Sequence, residues 1–255
     1  MKNILLTNDD GIYSDGLKTL WRYLRKQYNV SAVIPETEKS AVAHAINLFS
    51  PLKIKKIQVD KDLHGWIVSG TPVDCVKIAV SSILEKTPDM IVSGINPQSN
   101  MGMDLLYSGT VSAAIEGCIC GLPSIAVSVN DHDPITFEAA CDLTVRTVKA
   151  SMGKINSNTV LNINIPSVLA SEVKGMKITR LGAREYEEWF EPKEGDNGEL
   201  EYWYSGTPVI YEDLPQDIDV IAIQDGYASI TPLHYDLTSY KLIEEVESWG
   251  IKYQD

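Results

Sequence analysis

Asn3-Ile4-Leu5-Leu6-Thr7-Asn8-Asp9-Asp10-Gly11 decides the reading of the chain: an apolar run stops on two adjacent carboxylates and then a glycine. The run led by Ile4, Leu5 and Leu6 predicts a short strand buried on both faces. Gly11 supplies the permissive backbone needed for a sharp exit. Asp9 and Asp10 then stand at a strand's carboxyl end, where open α/β sheets bind their ligands. Neighbouring carboxylates repel unless a cation or a proton comes between them, and a hard divalent metal answers that need. The same residues also favour turns for local hydrogen-bonding reasons, so on this stretch alone a plain turn remains open.

Working outward, Ser14 and Asp15 can cap a helix whose apolar residues Leu17, Leu20, Trp21 and Leu24 follow the 3.6-residue period. Val30 to Ile34 reads as a second strand ended by Pro35, and Glu36 to His44 as a polar loop leaving the same sheet edge as Asp9. Ser40 and His44 are thereby placed to face the carboxylates. Asn47 to Val59 alternates apolar and polar residues, which predicts an antiparallel hairpin excursion. Trp66 to Ser69 returns as a strand, Gly70-Thr71-Pro72 turns, and Pro72 suits the first turn of a helix carrying Val76, Ile78 and Val80. Met90 to Ile95 is another buried strand, followed by a loop with Asn96, Asn100, Gly102 and Asp104.

Ser108-Gly109-Thr110 opens the next helix, which runs to Gly121. Free backbone N–H groups and the positive end of the dipole make such a start an anion site. Plain capping by Ser108 or Thr110 reads the same residues equally well. Ser124 to Val129 and Val160 to Ile165 are strands on either side of a helix over Ile135 to Met152. Strands alternating with helices imply right-handed crossovers and an α/β fold, its mostly parallel sheet covered on both faces.

The expected division is a core over residues 1–170 and a C-terminal part over 171–255. In the latter, Met176 to Leu181 and Val220 to Thr231 read as strands. The segment between them is acidic and aromatic, with Tyr186, Trp189, Phe190, Tyr202, Trp203 and Tyr204. Thr238 begins a final helix with Tyr240, Leu242, Ile243, Val246 and Trp249. The aromatic segment is too polar to form its own core, so from about Gly182 the chain is expected to reach a second subunit, as a homodimer or homotetramer. An intrachain flap over the pocket is the alternative.

Composition narrows the partners. With 44% hydrophobic and 22% charged residues among 255, the chain is ordinary for a globular protein. Twenty-two basic against 35 acidic residues give a net charge of −13, which disfavours duplex nucleic acid and anionic membranes. No run approaches the roughly 18 apolar residues of a membrane span, and the N-terminus lacks a signal-peptide pattern, so a cytoplasmic location is expected. Cys75, Cys118, Cys120 and Cys141 lack Cys-x-x-Cys spacing and read as reduced, packed thiols.

Three loops on one edge therefore carry Asp9 and Asp10, Ser40, and Asn96, oxygen donors that suit magnesium, manganese or calcium rather than zinc. The helix start at Ser108 adds an anion cradle. A cation plus an anion pocket is what hydrolysis of a phosphate ester requires. His44 can contact phosphate or act as an acid, or serve simply as a hydrogen-bonding surface residue. His64, His132 and His234 carry less signal, and Asp74 at a helix start favours the dipole.

These residues resemble the SurE survival protein family of metal-dependent 5′-nucleotidases. The matching stretches are Thr7-Asn8-Asp9-Asp10-Gly11, Ser69-Gly70-Thr71-Pro72-Val73-Asp74-Cys75-Val76, Ser93-Gly94-Ile95-Asn96, Tyr107-Ser108-Gly109-Thr110-Val111, Leu161-Asn162-Ile163-Asn164 and Ser229-Ile230-Thr231-Pro232-Leu233. The resemblance implies a three-layer Rossmann-like core with a C-terminal hairpin arm and terminal helix exchanged between protomers. It implies one divalent ion per subunit, magnesium or manganese, at Asp9, Asp10, Ser40 and Asn96. Asp9, Asp10 and Asn96 would serve catalysis, and Asn100, Ser108, Gly109, Thr110 and His44 would hold the phosphate or substrate. The implied substrates are nucleoside 5′-monophosphates, with 3′-monophosphates and short polyphosphate, attacked directly by metal-activated water.

Two departures from the family pattern stand out: Gln98 replaces the middle glycine of Asn-x-Gly-x-Asn, and Ala41 replaces the glycine after the serine. Two other functions fit parts of the pattern. One is a phosphatase forming an aspartyl-phosphate on Asp9, although that chemistry usually spaces its carboxylates two apart and adds a lysine. The other is a non-catalytic nucleotide sensor with altered loops.

Overall fold

The computed structural model describes residues 1–58, 63–129, 134–183, 186–187, 190–209 and 214–252. The chain opens as β1 (Asn3–Thr7), α1 (Asp15–Leu24), β2 (Asn29–Pro35), β3 (Ile54–Gln58), β4 (His64–Val68), α2 (Pro72–Ile78) and β5 (Met90–Asn96). It continues with α3 (Gly109–Ile119), β6 (Ser124–Val129), α4 (Pro134–Ser151), β7 (Val160–Ile165) and β8 (Met176–Ile178). The C-terminal part holds β9 (Tyr186–Glu187), β10 (Phe190–Glu194), β11 (Leu200–Tyr204), β12 (Thr207–Pro208), α5 (Asp219–Gln224), β13 (Ala228–Leu233) and α6 (Tyr240–Ser248).

Nine strands form one sheet in the order β3-β4-β2-β1-β5-β6-β7-β13-β8. The pairs β3 with β4 and β13 with β7 are antiparallel, and the other pairs are parallel. Side chains alternate across β1, so Ile4 and Leu6 pack on the α1 and α4 side while Leu5 packs on the α2 and α3 side. That gives the three layers and puts β1 at the centre, with its carboxyl end between the first turns of α1 and α3. Capping fixes both flanking helices: the Ser14 hydroxyl accepts from Leu17 N at 3.3 Å, and Thr71 and Asp74 form a reciprocal box at the start of α2. Asp74 thus acts as a cap, tied also to Asn47 N at 3.1 Å.

Four expectations need revision or restriction. Residues 220–223 are helical, in α5, and the strand begins only at Ala228. Ile218, Ile221 and Ala222 are buried at helical spacing, and Gly226 at φ +82° turns the chain after α5. A short apolar run cannot separate strand from helix by period alone. The expected strand over Met176 to Leu181 is regular only to Ile178, after which Thr179 N still donates to Ile230 O at 3.0 Å and Arg180 makes an isolated bridge to Ile218. The antiparallel excursion expected over residues 47–59 is regular only from Ile54: residues 47–53 carry no regular element, and β3 pairs antiparallel with β4 as an edge of the main sheet, guarded by Lys55 and Lys56. Val59, His132 and Trp189 lie outside the described residues.

The sheet also continues past residue 170, because β13 and β8 extend it beyond β7. The antiparallel hairpin of β10 and β11 and the helix α6 are the parts that stand off it. The hairpin pairs Phe190 with Tyr204 and Pro192 with Tyr202, and its strands are exposed throughout. Among the described residues no helix is long and apolar enough to cross a membrane.

Candidate active site

The turn after β1 is set by Asn8, whose Nδ2 donates to Gly11 O at 2.9 Å and to Ser14 Oγ at 3.0 Å, with Gly11 at φ +89°. This aims Asp9 and Asp10 off the sheet edge. Asp9 O accepts from Lys39 N at 2.8 Å, which draws the loop after β2 across the site. From the other side comes the first turn of α3. Ser108 caps it by accepting from Val111 N at 3.1 Å, and the Thr110 hydroxyl donates to Asp9 Oδ1. The approach is close enough to demand glycine at 109, since a Cβ there would lie 2.8 Å from Asp9 Cβ and 2.9 Å from its Oδ2.

Asp9 is only 5% exposed, and burial pushes its carboxyl above the ordinary range against the opposing Thr110 bond. Burial also pushes Asp10 up to about 7, helped by the charges of Asp9 and Glu38. The charged groups that act on the pair are therefore carboxylates. Asp10 Oδ2 is buried without a hydrogen-bond partner.

Two adjoining clefts open here, one of about 670 Å³ bordered by Asp9, Asn100, Tyr107 and Ser108, the other of about 290 Å³ bordered by Asp10, Glu38 and Phe137. Ser40, Asn96 and Gln98 line both. The four oxygen-bearing residues predicted as ligands thus meet at one place. Ser40 Oγ donates to Glu38 Oε1 at 2.6 Å, and Asn96 Nδ2 donates to Gln98 O at 2.5 Å. Asn100 is locked in: its N–H donates to Asn164 Oδ1 at 2.8 Å, its Nδ2 to Ser128 Oγ at 2.8 Å, and its carbonyl accepts from Asn162 and Asn164.

His44 stands elsewhere. Its Nε2 meets Glu116 Oε2 at 2.9 Å on α3, where Lys77 also reaches Glu116 at 2.7 Å, and it lines neither cleft. That contact ties the Ser40 loop to α3. Glu38 and Glu116 are site-building residues that the sequence reading passes over, and Asn162 and Asn164, quoted there only as part of a matching stretch, carry no role in it. Two asparagines two apart in an apolar strand were the visible signal, because they must share one face.

Among the described residues no three of His, Cys, Asp and Glu converge to hold a metal. A cation would accordingly rest on Asp9 and Asp10 with neutral oxygens. The residues fit one: two adjacent carboxyls raised chiefly by burial, with the charges of Asp9 and Glu38 adding to the rise at Asp10 and one Asp10 oxygen partnerless, are relieved by a hard divalent ion.

The fold and this edge define an α/β protein with an acidic oxygen-donor site set against a helix N-terminus. The family model for survival protein SurE matches residues 4–188, so the chain belongs to the SurE family. It is 41% identical over 96% of its length to the 5′-nucleotidase SurE of Heliobacterium modesticaldum, covering 91% of that protein. With the 5′-nucleotidase SurE of Thermosipho melanesiensis it shares 42% identity over 99% of this chain and 98% of that one. The crystal structure of the SurE protein from Aquifex aeolicus superposes with a TM-score of 0.84 at 39% identity, covering 98% of this chain and 100% of that one. Of the two departures from the family pattern, Ala41 adopts the left-handed φ of +53° that a glycine would take without strain, whereas Gln98 does not.

Proposed function

We propose that the chain is a phosphomonoesterase acting on nucleoside 5′-monophosphates, with 3′-monophosphates and short polyphosphate as further substrates. The observation that carries this reading is Asp9, with Asp10 beside it in the chain, packed against the capped N-terminus of α3 at the mouth of a cleft. Asp9, Asp10, Ser40 and Asn96 are the residues that would hold one divalent ion, magnesium or manganese. The chemistry such an ion supplies is Lewis acidity toward the phosphoryl group and toward water.

The chain's own groups do the rest. The first turn of α3, with Ser108 on the cleft wall, favours the phosphoryl negative charge. Thr110 holds Asp9 in one orientation. Asp10, which keeps one partnerless oxygen at the cleft, is placed to accept the proton of the attacking water. Asn100 is fixed by β7 and shapes the wall opposite the helix. Glu38 rather than a lysine or arginine is the charged group that acts on Asp9, which favours attack by water over an aspartyl-phosphate. Phosphate release across nucleotides and divalent ions, with acid quenching to trap any phosphoryl-enzyme, tests this. Turnover without a covalent intermediate is expected; nucleotide binding without turnover would make the protein a sensor.

The same reading assigns the assembly. Helix α6 buries none of its side chains, leaving Tyr240, Leu242, Ile243, Val246 and Trp249 exposed. A groove of about 900 Å³ between α4 and the strands β7, β13 and β8 is bordered by Ala139, Leu143, Leu161, Ile178 and Ile230. Helix α6 of a second copy fits that apolar groove, and mutual exchange yields a symmetric homodimer. Light scattering on full-length protein and on a chain ending at residue 238 should give a dimer and a monomer respectively. A full-length monomer at micromolar concentration overturns the exchange.

A further inference from the structure

One buried carboxylate outside the Asp9–Asp10 pair joins separate segments of the chain. Asp219, the first residue of α5, is fully buried. Its Oδ2 accepts from Gly102 N at 2.8 Å, while its Oδ1 accepts from Gly182 N at 3.0 Å and from Val220 N at 2.8 Å. Its own N–H donates to Arg180 O at 3.0 Å. A carboxylate is expensive to bury, and backbone N–H donors at both oxygens are the environment that makes it tolerable.

What those donors belong to is informative. Gly102, at φ +52°, begins the 3₁₀ turn Gly102–Tyr107 that leads directly into Ser108, the cap of α3. That turn carries Asp104 and Tyr107, which line the larger cleft. Gly182 begins the chain leading to Tyr186 and the hairpin, and Tyr186, Tyr204, Ser205 and Gly206 line the same cleft. Space at Gly182 is so tight that a Cβ would collide with Ile218 Cγ2. The two walls touch again further out, where the Tyr186 hydroxyl donates to Asp104 Oδ2 at 2.5 Å.

We propose that Asp219 is a positioning residue that sets the gap between these two walls, and that the gap receives the nucleoside part of the substrate rather than its phosphate. The proposal rests on the nucleotidase reading. Three tyrosines, Tyr107, Tyr186 and Tyr204, border this outer region, and aromatic side chains bind flat heterocycles by stacking. Asp9 and Ser108 on the cleft wall, and the buried Thr110 behind Asp9, are held by bonds of their own to which Asp219 does not contribute.

The discriminating variant is Asp219→Asn in the full chain, which leaves the shape but replaces one acceptor by an amide that faces an N–H. Kinetics are measured on a nucleoside 5′-monophosphate and on methyl phosphate, which has no ribose, base or other flat ring to stack. Loss of a charge-assisted hydrogen bond predicts a KM for the nucleotide raised about tenfold or more, with kcat and the methyl phosphate parameters within about twofold. Tyr186→Phe, which removes only the outer tether, should produce the same nucleotide-selective rise and serves if the Asn variant does not fold. Equal losses on both substrates, or no change in either variant, overturn the positioning role. If the wild-type protein turns over neither substrate, the nucleotidase reading fails by itself. Calorimetric nucleotide binding then decides the proposal: weaker binding to the variants upholds it, and unchanged affinity overturns it.

Discussion

Replacing Asp10 with asparagine removes one charge from the buried pair and leaves its shape. Burial, Asp9 and Glu38 together carry the Asp10 carboxyl from an ordinary 3.8 to about 7. The folded protein therefore holds a proton more tightly than the unfolded chain does. Its stability is fully present below about pH 4, declines as pH rises toward 7, and levels off above it. At 1.36 kcal/mol per pK unit the ionised group costs about 4 kcal/mol at pH 8, less whatever water near Asp10 relieves. An asparagine amide escapes that cost but leaves a buried polar group unsatisfied, worth about 1–3 kcal/mol. Urea denaturation in chelator from pH 5 to 9 should show the wild-type protein weakening with pH and Asp10→Asn weakening less, because Asp9, raised by burial, still titrates in it; the variant should be the more stable by about 1–3 kcal/mol at pH 8. Adding manganese or magnesium should restore the wild-type protein and leave the variant unmoved. A variant with the wild-type pH slope, or one less stable at pH 8 in chelator, would refute the reasoning.

At position 109, Gly109→Ala places a Cβ 2.8 Å from Asp9 Cβ, so α3 or Asp9 must shift. Displacements of this size lower turnover by about a hundredfold, with the fold retained by circular dichroism. Ser108→Ala should cost about 1 kcal/mol through the lost cap and weaken phosphate inhibition. Thr110→Ala frees Asp9 Oδ1, so it should reduce both divalent-ion affinity and turnover; unchanged ion affinity measured by calorimetry contradicts the Thr110 role. Ala41→Gly should raise the thermal midpoint, because the left-handed φ costs an L-residue about 1–2 kcal/mol and added unfolded-state freedom returns about half of that. A lowered midpoint would mean that the Ala41 side chain packs usefully on the cleft.

The sequence carries the centre of the molecule in plain view because its signals there are local. Apolar Ile4 to Leu6, Gly11 beyond the carboxylates, the Ser14 cap and the Ser108 start each act within a few residues. Long-range partnerships leave no such trace. His44 and Glu116 are 72 residues apart, and Thr110 and Asp9 are 101 apart, so neither pairing has a spacing to read. Glu38 looks like one more loop acid until the Lys39 amide brings it beside Asp10. The misreading of residues 220–223 has a different origin: β-branched residues favour strands on propensity, and tertiary packing of Ile221 and Ala222 overrides that preference.

Phosphate release from a nucleoside 5′-monophosphate, followed as manganese is titrated against chelator, tests the central claim most directly on wild-type protein and on Asp9→Asn. The account predicts turnover that saturates with manganese in the wild-type protein, none in excess chelator, and none at any manganese concentration in the folded Asp9→Asn variant. Full wild-type turnover in excess chelator, or an active Asp9→Asn protein, would contradict it.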